Sequence, residues 1–62
     1  MTDTALETQL LRLSDAIVGF REDEAVRYCQ APREAICATL ADLVSRGRLR
    51  ESGRRYYRAR DA

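Results

Sequence analysis

The chain has 62 residues, 45% of them hydrophobic, and a net charge of +1, which suits one small globular domain and excludes a disordered, highly charged segment. It contains no histidine and two cysteines, so we expect no zinc site, no histidine-activated nucleophile, no cofactor and no enzymatic activity. No apolar run is long enough to span a membrane and the N-terminus has no basic, apolar leader, so we expect a cytoplasmic protein without a membrane partner.

The first predicted element is a helix over residues 5–18, because leucine and isoleucine recur there at helical spacing. Gly19 is expected to end it, since glycine adopts left-handed dihedral angles at little cost. Leu11 and Val18, with Leu6, suit either the seam of a homodimer or the completion of a single core. The apolar seam of this helix consists of Leu6, Leu10, Leu13 and Ile17.

A short second helix is predicted over residues 22–29, because three acidic residues begin it and the helix dipole favours negative charge there. A third helix is predicted over residues 32–46, with Pro32 at its first position and Gly47 as its stop. Its core side is expected to carry Ile36, Leu40 and Leu43, with Val44 beside them. Ion pairs across one turn are expected for Asp23 with Arg27 and for Asp42 with Arg46.

Positive charge is concentrated in the last part of the chain. Residues 1–45 contain four arginines and eight acidic residues, a net charge of −4, whereas residues 46–60 contain seven arginines and one glutamate, a net charge of +6. This asymmetry predicts that one face of the protein meets an anionic partner, although a solvated basic surface is the alternative interpretation.

The basic segment is predicted to form a β-hairpin over residues 48–59, with its turn at Ser52 and Gly53. In this register Arg50 lies opposite Arg55. Like charges facing each other across two strands destabilise a hairpin, and a bound polyanion would relieve the repulsion. The predicted pairing is therefore an argument for a nucleic-acid ligand.

Strand alternation predicts that Leu49 and Tyr56 face the helices, while Arg48, Arg50, Arg55 and Tyr57 face outward. The Tyr57 ring could contact a nucleic acid or simply cover the hairpin, and the pattern does not separate these two roles. The predicted fold is a single domain, mainly α-helical, with three helices and a small C-terminal β-hairpin.

The segment AICATLADLVSRGRLRESGRRYYRA, residues 35–59, resembles winged helix-turn-helix regulators of the MarR, ArsR and PadR types. In those families an apolar residue of the third helix is followed by apolar residues four and seven positions later, a glycine at eleven and an aliphatic residue at thirteen. The end of the segment, GRRYYRA, resembles the end of the wing in PadR-like proteins, and the resemblance covers roughly residues 8–60. The matching positions are Ile36, Leu40, Leu43, Gly47 and Leu49.

The resemblance implies a transcriptional regulator that binds double-stranded DNA, with the third helix in the major groove and the hairpin, or wing, on the backbone. The implied base-facing residues are Pro32, Arg33, Glu34, Cys37, Ala38 and Ala41. The implied backbone contacts are Arg46, Arg48, Arg50, Arg54, Arg55, Tyr57 and Arg58. Arg33 could read a guanine edge and Glu34 could accept from a cytosine amine, while the small neighbouring side chains leave much of the affinity to backbone contact and DNA shape.

Other partners are compatible with the same residues. A winged-helix adaptor could bind an acidic protein instead of DNA, and RNA could occupy the same basic hairpin. A homodimer is also compatible with the small size of the chain, because a domain this short has a marginal core. Cys37 is expected to be an unreactive small residue rather than a redox sensor, since nothing in the sequence lowers its pKa.

Overall fold

Three helices come first along the chain and an antiparallel β-hairpin follows them in the computed structural model, which describes residues 4–59. The predicted mainly α-helical class with one small hairpin is confirmed. The predicted bounds differ from the observed ones by at most two residues, which is ordinary at helix ends. The elements are α1 (Thr4–Ala16), α2 (Glu22–Cys29), α3 (Arg33–Ser45), β1 (Leu49–Ser52) and β2 (Arg55–Arg58).

One apolar core lies between the three helices and the hairpin. Because α1 ends at Ala16, Ile17 falls outside the helical seam predicted for it and is 38% exposed. Leu6 is buried and Leu11 packs against the core, whereas Val18 is 84% exposed, so of these three proposed seam residues only Val18 is open to solvent. The largest fully buried side chains are Phe20, Leu10, Leu13, Ile36, Leu40, Leu43 and Leu49.

Phe20 ties the hairpin to the helices, a role that the sequence analysis did not assign. Its N–H donates to the carbonyl of Tyr56 at 3.1 Å, and the Tyr56 N–H donates to the carbonyl of Phe20 at 2.8 Å. The two rings stack with their centroids 5.6 Å apart. The segment between α1 and α2 therefore pairs with β2 as a one-residue strand. The available signal was a single phenylalanine directly after the glycine that ends the first helix.

The strands pair two residues further along β2 than predicted. Arg50 lies opposite Tyr57, and Ser52 lies opposite Arg55. The predicted opposition of Arg50 and Arg55 is wrong, so the hairpin has no repulsion between these two charges as direct cross-strand neighbours for a polyanion to relieve. The two turn residues are Gly53 and Arg54, both with positive φ (57° and 65°), as in a type I′ turn whose twist matches the strands. A shift of two residues preserves the alternation of faces, so Leu49 is buried and Arg48 and Arg50 are exposed, as predicted. Arg55 and Tyr57 were predicted to face outward, but both are half-buried against Gly19.

Backbone conformation favours glycine after α1 and after α3, and after α1 a close side-chain contact favours it as well. Gly19 and Gly47 both have φ of 76°, a left-handed conformation that costs a side-chain-bearing residue about 1–2 kcal/mol. A Cβ at Gly19 would also lie 2.9 Å from Cε2 of Tyr57, whereas a Cβ at Gly47 would have no neighbour within 4 Å among the described residues. The Tyr57 ring thus covers the backbone at the end of α1.

We expect Gly47→Ala to lower the free energy of unfolding by about 1–2 kcal/mol, because only the backbone conformation is disfavoured. Gly19→Ala should cost more, since the Tyr57 ring must also move. Urea denaturation followed by circular dichroism measures both variants. Equal losses would show that the ring yields freely, and adding Tyr57→Ala should remove the difference between the two alanine variants.

Candidate nucleic-acid interface

The side chains predicted to contact DNA lie on α3 and around the hairpin, and many of them already have partners within the protein. Arg33 is the first residue of α3, and its side chain is 57% exposed. Its Nη1 donates to Oε1 of Glu22 and its Nη2 donates to Oδ1 of Asp23. Asp23 was expected to pair with Arg27. It pairs with Arg33 instead, because the turn between α2 and α3 brings the first residues of both helices together.

We call Glu22 and Asp23 the acidic clamp. Hydrogen bonding from Arg33 and the nearby guanidinium charge lower the pKa of Asp23, and the same contacts raise the pKa of Arg33. The Asp23 carboxylate is charged at neutral pH, and its ion pair with Arg33 persists there. Because the pKa of this carboxyl is lowered, the pair is lost only when the pH falls far enough to protonate it.

Cys37 lies one turn after Arg33 and also contacts the acidic clamp. Two side chains lower the pKa of Glu22 by hydrogen bonding. The Cys37 thiol makes the larger contribution and Arg33 makes the next. The same hydrogen bond, with burial, raises the pKa of the Cys37 thiol. Cys37 is therefore half-buried beside α2 rather than open on the groove-facing side, and its thiol stays protonated at neutral pH. The exposed side of α3 carries Glu34, Ala38 and Ala41.

Two arginines of the basic segment turn toward acidic residues of the helices. Nη2 of Arg46 lies 2.6 Å from a carboxylate oxygen of Glu7 and 2.7 Å from one of Asp42, which confirms the predicted pair across one turn of α3. Nη1 of Arg58 lies 3.3 Å from Oδ2 of Asp15. Both were proposed as DNA backbone contacts, and both are at least partly neutralised within the chain.

The remaining arginines of the hairpin differ in their partners. Nη1 of Arg55 donates to the carbonyl of Gly19 at 3.0 Å, and this side chain is half-buried. By contrast, Arg48, Arg50 and Arg54 are exposed, and within residues 4–59 their guanidinium groups have no ion-pair or hydrogen-bond partner. We call these three the outer arginines. Among residues 46–59, these are the arginines that are free to bind an external anion.

An open groove of about 520 Å³ lies between the starts of α2 and α3 and the tip of the hairpin. It brings together Arg33 and Arg54, which the sequence analysis placed on separate elements, and adds Arg21, which that analysis did not select. Arg21 has an extended backbone and its N–H donates to Oε1 of Glu24 at 2.8 Å. The charged lining consists of Arg21, Arg33 and Arg54 with Glu22, Asp23 and Glu51.

Within residues 4–59, no group of three or more histidine, cysteine, aspartate or glutamate side chains is arranged to hold a metal ion. None of the helices there is both long and apolar enough to cross a membrane.

Comparison of the chain with protein-family models, with curated proteins and with solved structures returned no match.

Proposed function

We propose that this is a winged helix-turn-helix protein that binds double-stranded DNA and regulates transcription, with the hairpin as its wing. The order of the elements, three helices and then an antiparallel hairpin, supports this proposal. The observation that carries it is the sorting of arginines around the hairpin. Partners within the protein hold Arg46, Arg55 and Arg58, whereas the outer arginines are exposed and unpaired within the described chain.

The conformation of the wing tip supports the same proposal. Arg54 has φ of 65°, a left-handed conformation in which glycine or asparagine would be less strained. Its side chain makes no contact that offsets this strain within residues 4–59. A strained residue with an exposed, unpaired charge suggests a contact with a partner. Phosphate is the matching chemistry for a group of free guanidinium side chains.

Duplex DNA fits the wing better than single-stranded RNA does. Proteins that bind single strands stack bases on exposed aromatic rings. Here the Tyr56 ring stacks on Phe20, and the Tyr57 ring lies over Gly19. Both hairpin tyrosines are half-buried by these contacts, so we expect the wing to contact the nucleic acid mainly through charge. The small exposed residues Ala38 and Ala41 would let α3 approach the duplex closely.

A salt titration tests this proposal. If the three outer arginines each neutralise one phosphate, the logarithm of the association constant should fall against the logarithm of salt concentration with a slope of about −3. Fluorescence anisotropy with a labelled random duplex measures this slope. A single-stranded RNA of the same length serves as the competing ligand. A flat salt response would contradict backbone binding, and clearly tighter binding of the RNA would contradict the choice of duplex DNA.

One observation favours a second function, that of a protein-interaction module. The acidic clamp places two carboxylates at the start of α3, where they would repel a phosphate. In this alternative the wing binds an acidic protein surface and the duplex does not bind, even at about 20 mM salt. The anisotropy experiment therefore separates the two functions directly.

A further inference from the structure

We propose that the acidic clamp, Glu22 and Asp23, restrains the DNA selectivity of this protein by occupying the side chain of Arg33. This inference rests on the proposed DNA binding. The start of α2 then determines which base contacts Arg33 can make, whereas the outer arginines supply the affinity for DNA.

The geometry of the contact carries the inference. Each terminal nitrogen of the Arg33 guanidinium donates to a different carboxylate, one on Glu22 and one on Asp23. An arginine that reads guanine donates two hydrogen bonds from one edge of the same group to O6 and N7. The carboxylates and the guanine edge therefore compete for the same donors, and with the clamp closed Arg33 is a poor reader of bases.

The Cys37 thiol lies near the Glu22 carboxylate and lowers its pKa, so Glu22 interacts with two residues of α3, one turn apart. Both clamp carboxylates are charged at neutral pH, and their lowered pKa values extend that charge to more acidic conditions. Glu22, Asp23 and Arg33 together carry a net charge of −1, which adds repulsion of phosphate to the loss of base contacts.

The contact is nevertheless exposed and can be exchanged. The side chains of Arg33, Glu22 and Asp23 are 57%, 31% and 71% exposed. Ion pairs this open to water contribute little stability, so opening the clamp costs the fold little. A sequence that offers guanine at the right position can open it, whereas other sequences meet the closed, acidic form. Weak general binding with a latent preference for guanine is the expected behaviour.

The test compares the wild type with Glu22→Gln/Asp23→Asn, using two labelled duplexes of equal length, one with guanine throughout and one of A·T pairs only. The wild type should favour the guanine duplex less than about threefold. In the double variant Arg33 is released, so the preference should rise to at least about fivefold. Adding Arg33→Gln to the double variant should remove the preference again.

A matched control separates release of Arg33 from a simple change of charge. Asp15→Asn removes a carboxylate of α1 that pairs with Arg58 rather than with Arg33. It should raise the affinity for both duplexes by a similar, small factor and leave the preference unchanged. Nitrogen NMR of the arginine side chains checks the clamp without DNA, since the guanidinium signals of Arg33 should shift in the double variant when both carboxylate partners are removed.

Each outcome decides a different claim. If the double variant binds both duplexes more tightly by the same factor, or gains nothing, the inference is wrong while the proposed DNA binding stands. If the wild type and all variants are folded by circular dichroism but bind neither duplex at about 20 mM salt, DNA binding itself fails and the selectivity inference is overturned with it.

Discussion

Phe20→Ala is expected to lower the free energy of unfolding by about 3–5 kcal/mol, and much of the protein should be unfolded at 25 °C. The Phe20 side chain is fully buried and its ring stacks on Tyr56. Its removal would leave a cavity where the hairpin meets the helices. A single core in a chain of 62 residues rarely supplies more than about 3–5 kcal/mol of net stability, so the loss matches the whole reserve. Urea denaturation followed by circular dichroism measures this loss.

Two variants make that result specific. Phe20→Leu keeps much of the buried volume and should cost clearly less than the alanine variant. Tyr28→Ala removes another aromatic ring, but this side chain is 49% exposed, so the loss should stay within about 0.5 kcal/mol. If Phe20→Ala were as mild as Tyr28→Ala, Phe20 would not be the link between the hairpin and the helices.

Replacing all three outer arginines with alanine is expected to weaken duplex binding by at least roughly a hundredfold at about 50 mM salt. The salt slope should become smaller by about three, because each phosphate contact contributes roughly one to it. The loss should be similar for every DNA sequence, since backbone contacts carry no base information. Fluorescence anisotropy over a range of salt concentrations measures both quantities.

The inner arginines provide the control for this experiment. Arg46→Ala and Arg58→Ala remove side chains that are paired with Glu7, Asp42 and Asp15. Because these charges are already neutralised, the salt slope should change by less than about one. An unchanged slope in the outer-arginine variant, or an equal change in both variants, would show that the wing is not the anion-binding surface.

The positions of the helices and the inward-facing residue of β1 could be predicted from local patterns. Apolar spacing predicted the buried side of α1 through Leu13 and that of α3, and alternation predicted that Leu49 faces inward. The register of the hairpin was not accessible in the same way. Ser52-Gly53 and Gly53-Arg54 are both plausible turns, and the second is realised with two left-handed residues in succession. With that turn, Tyr57 rather than Arg55 lies opposite Arg50.

The candidate site was predicted less well than the fold, because its chemistry depends on long-range partners. Arg33 reads as a free base-contacting residue until the α2–α3 turn brings Glu22 and Asp23 against it. Arg58 reads as a phosphate contact until β2 packs beside Asp15, 43 residues earlier in the chain. No local pattern indicated either pairing.

The sequence by itself determined where helices form, which residues are apolar enough to be buried, and that positive charge gathers near the C-terminus. These properties depend on neighbours within a turn or two of the chain. Only the tertiary structure decided which arginines form ion pairs with the protein's own carboxylates and which remain unpaired. A charge pairs with whatever lies within a few ångströms in space, and that distance is unrelated to separation along the chain.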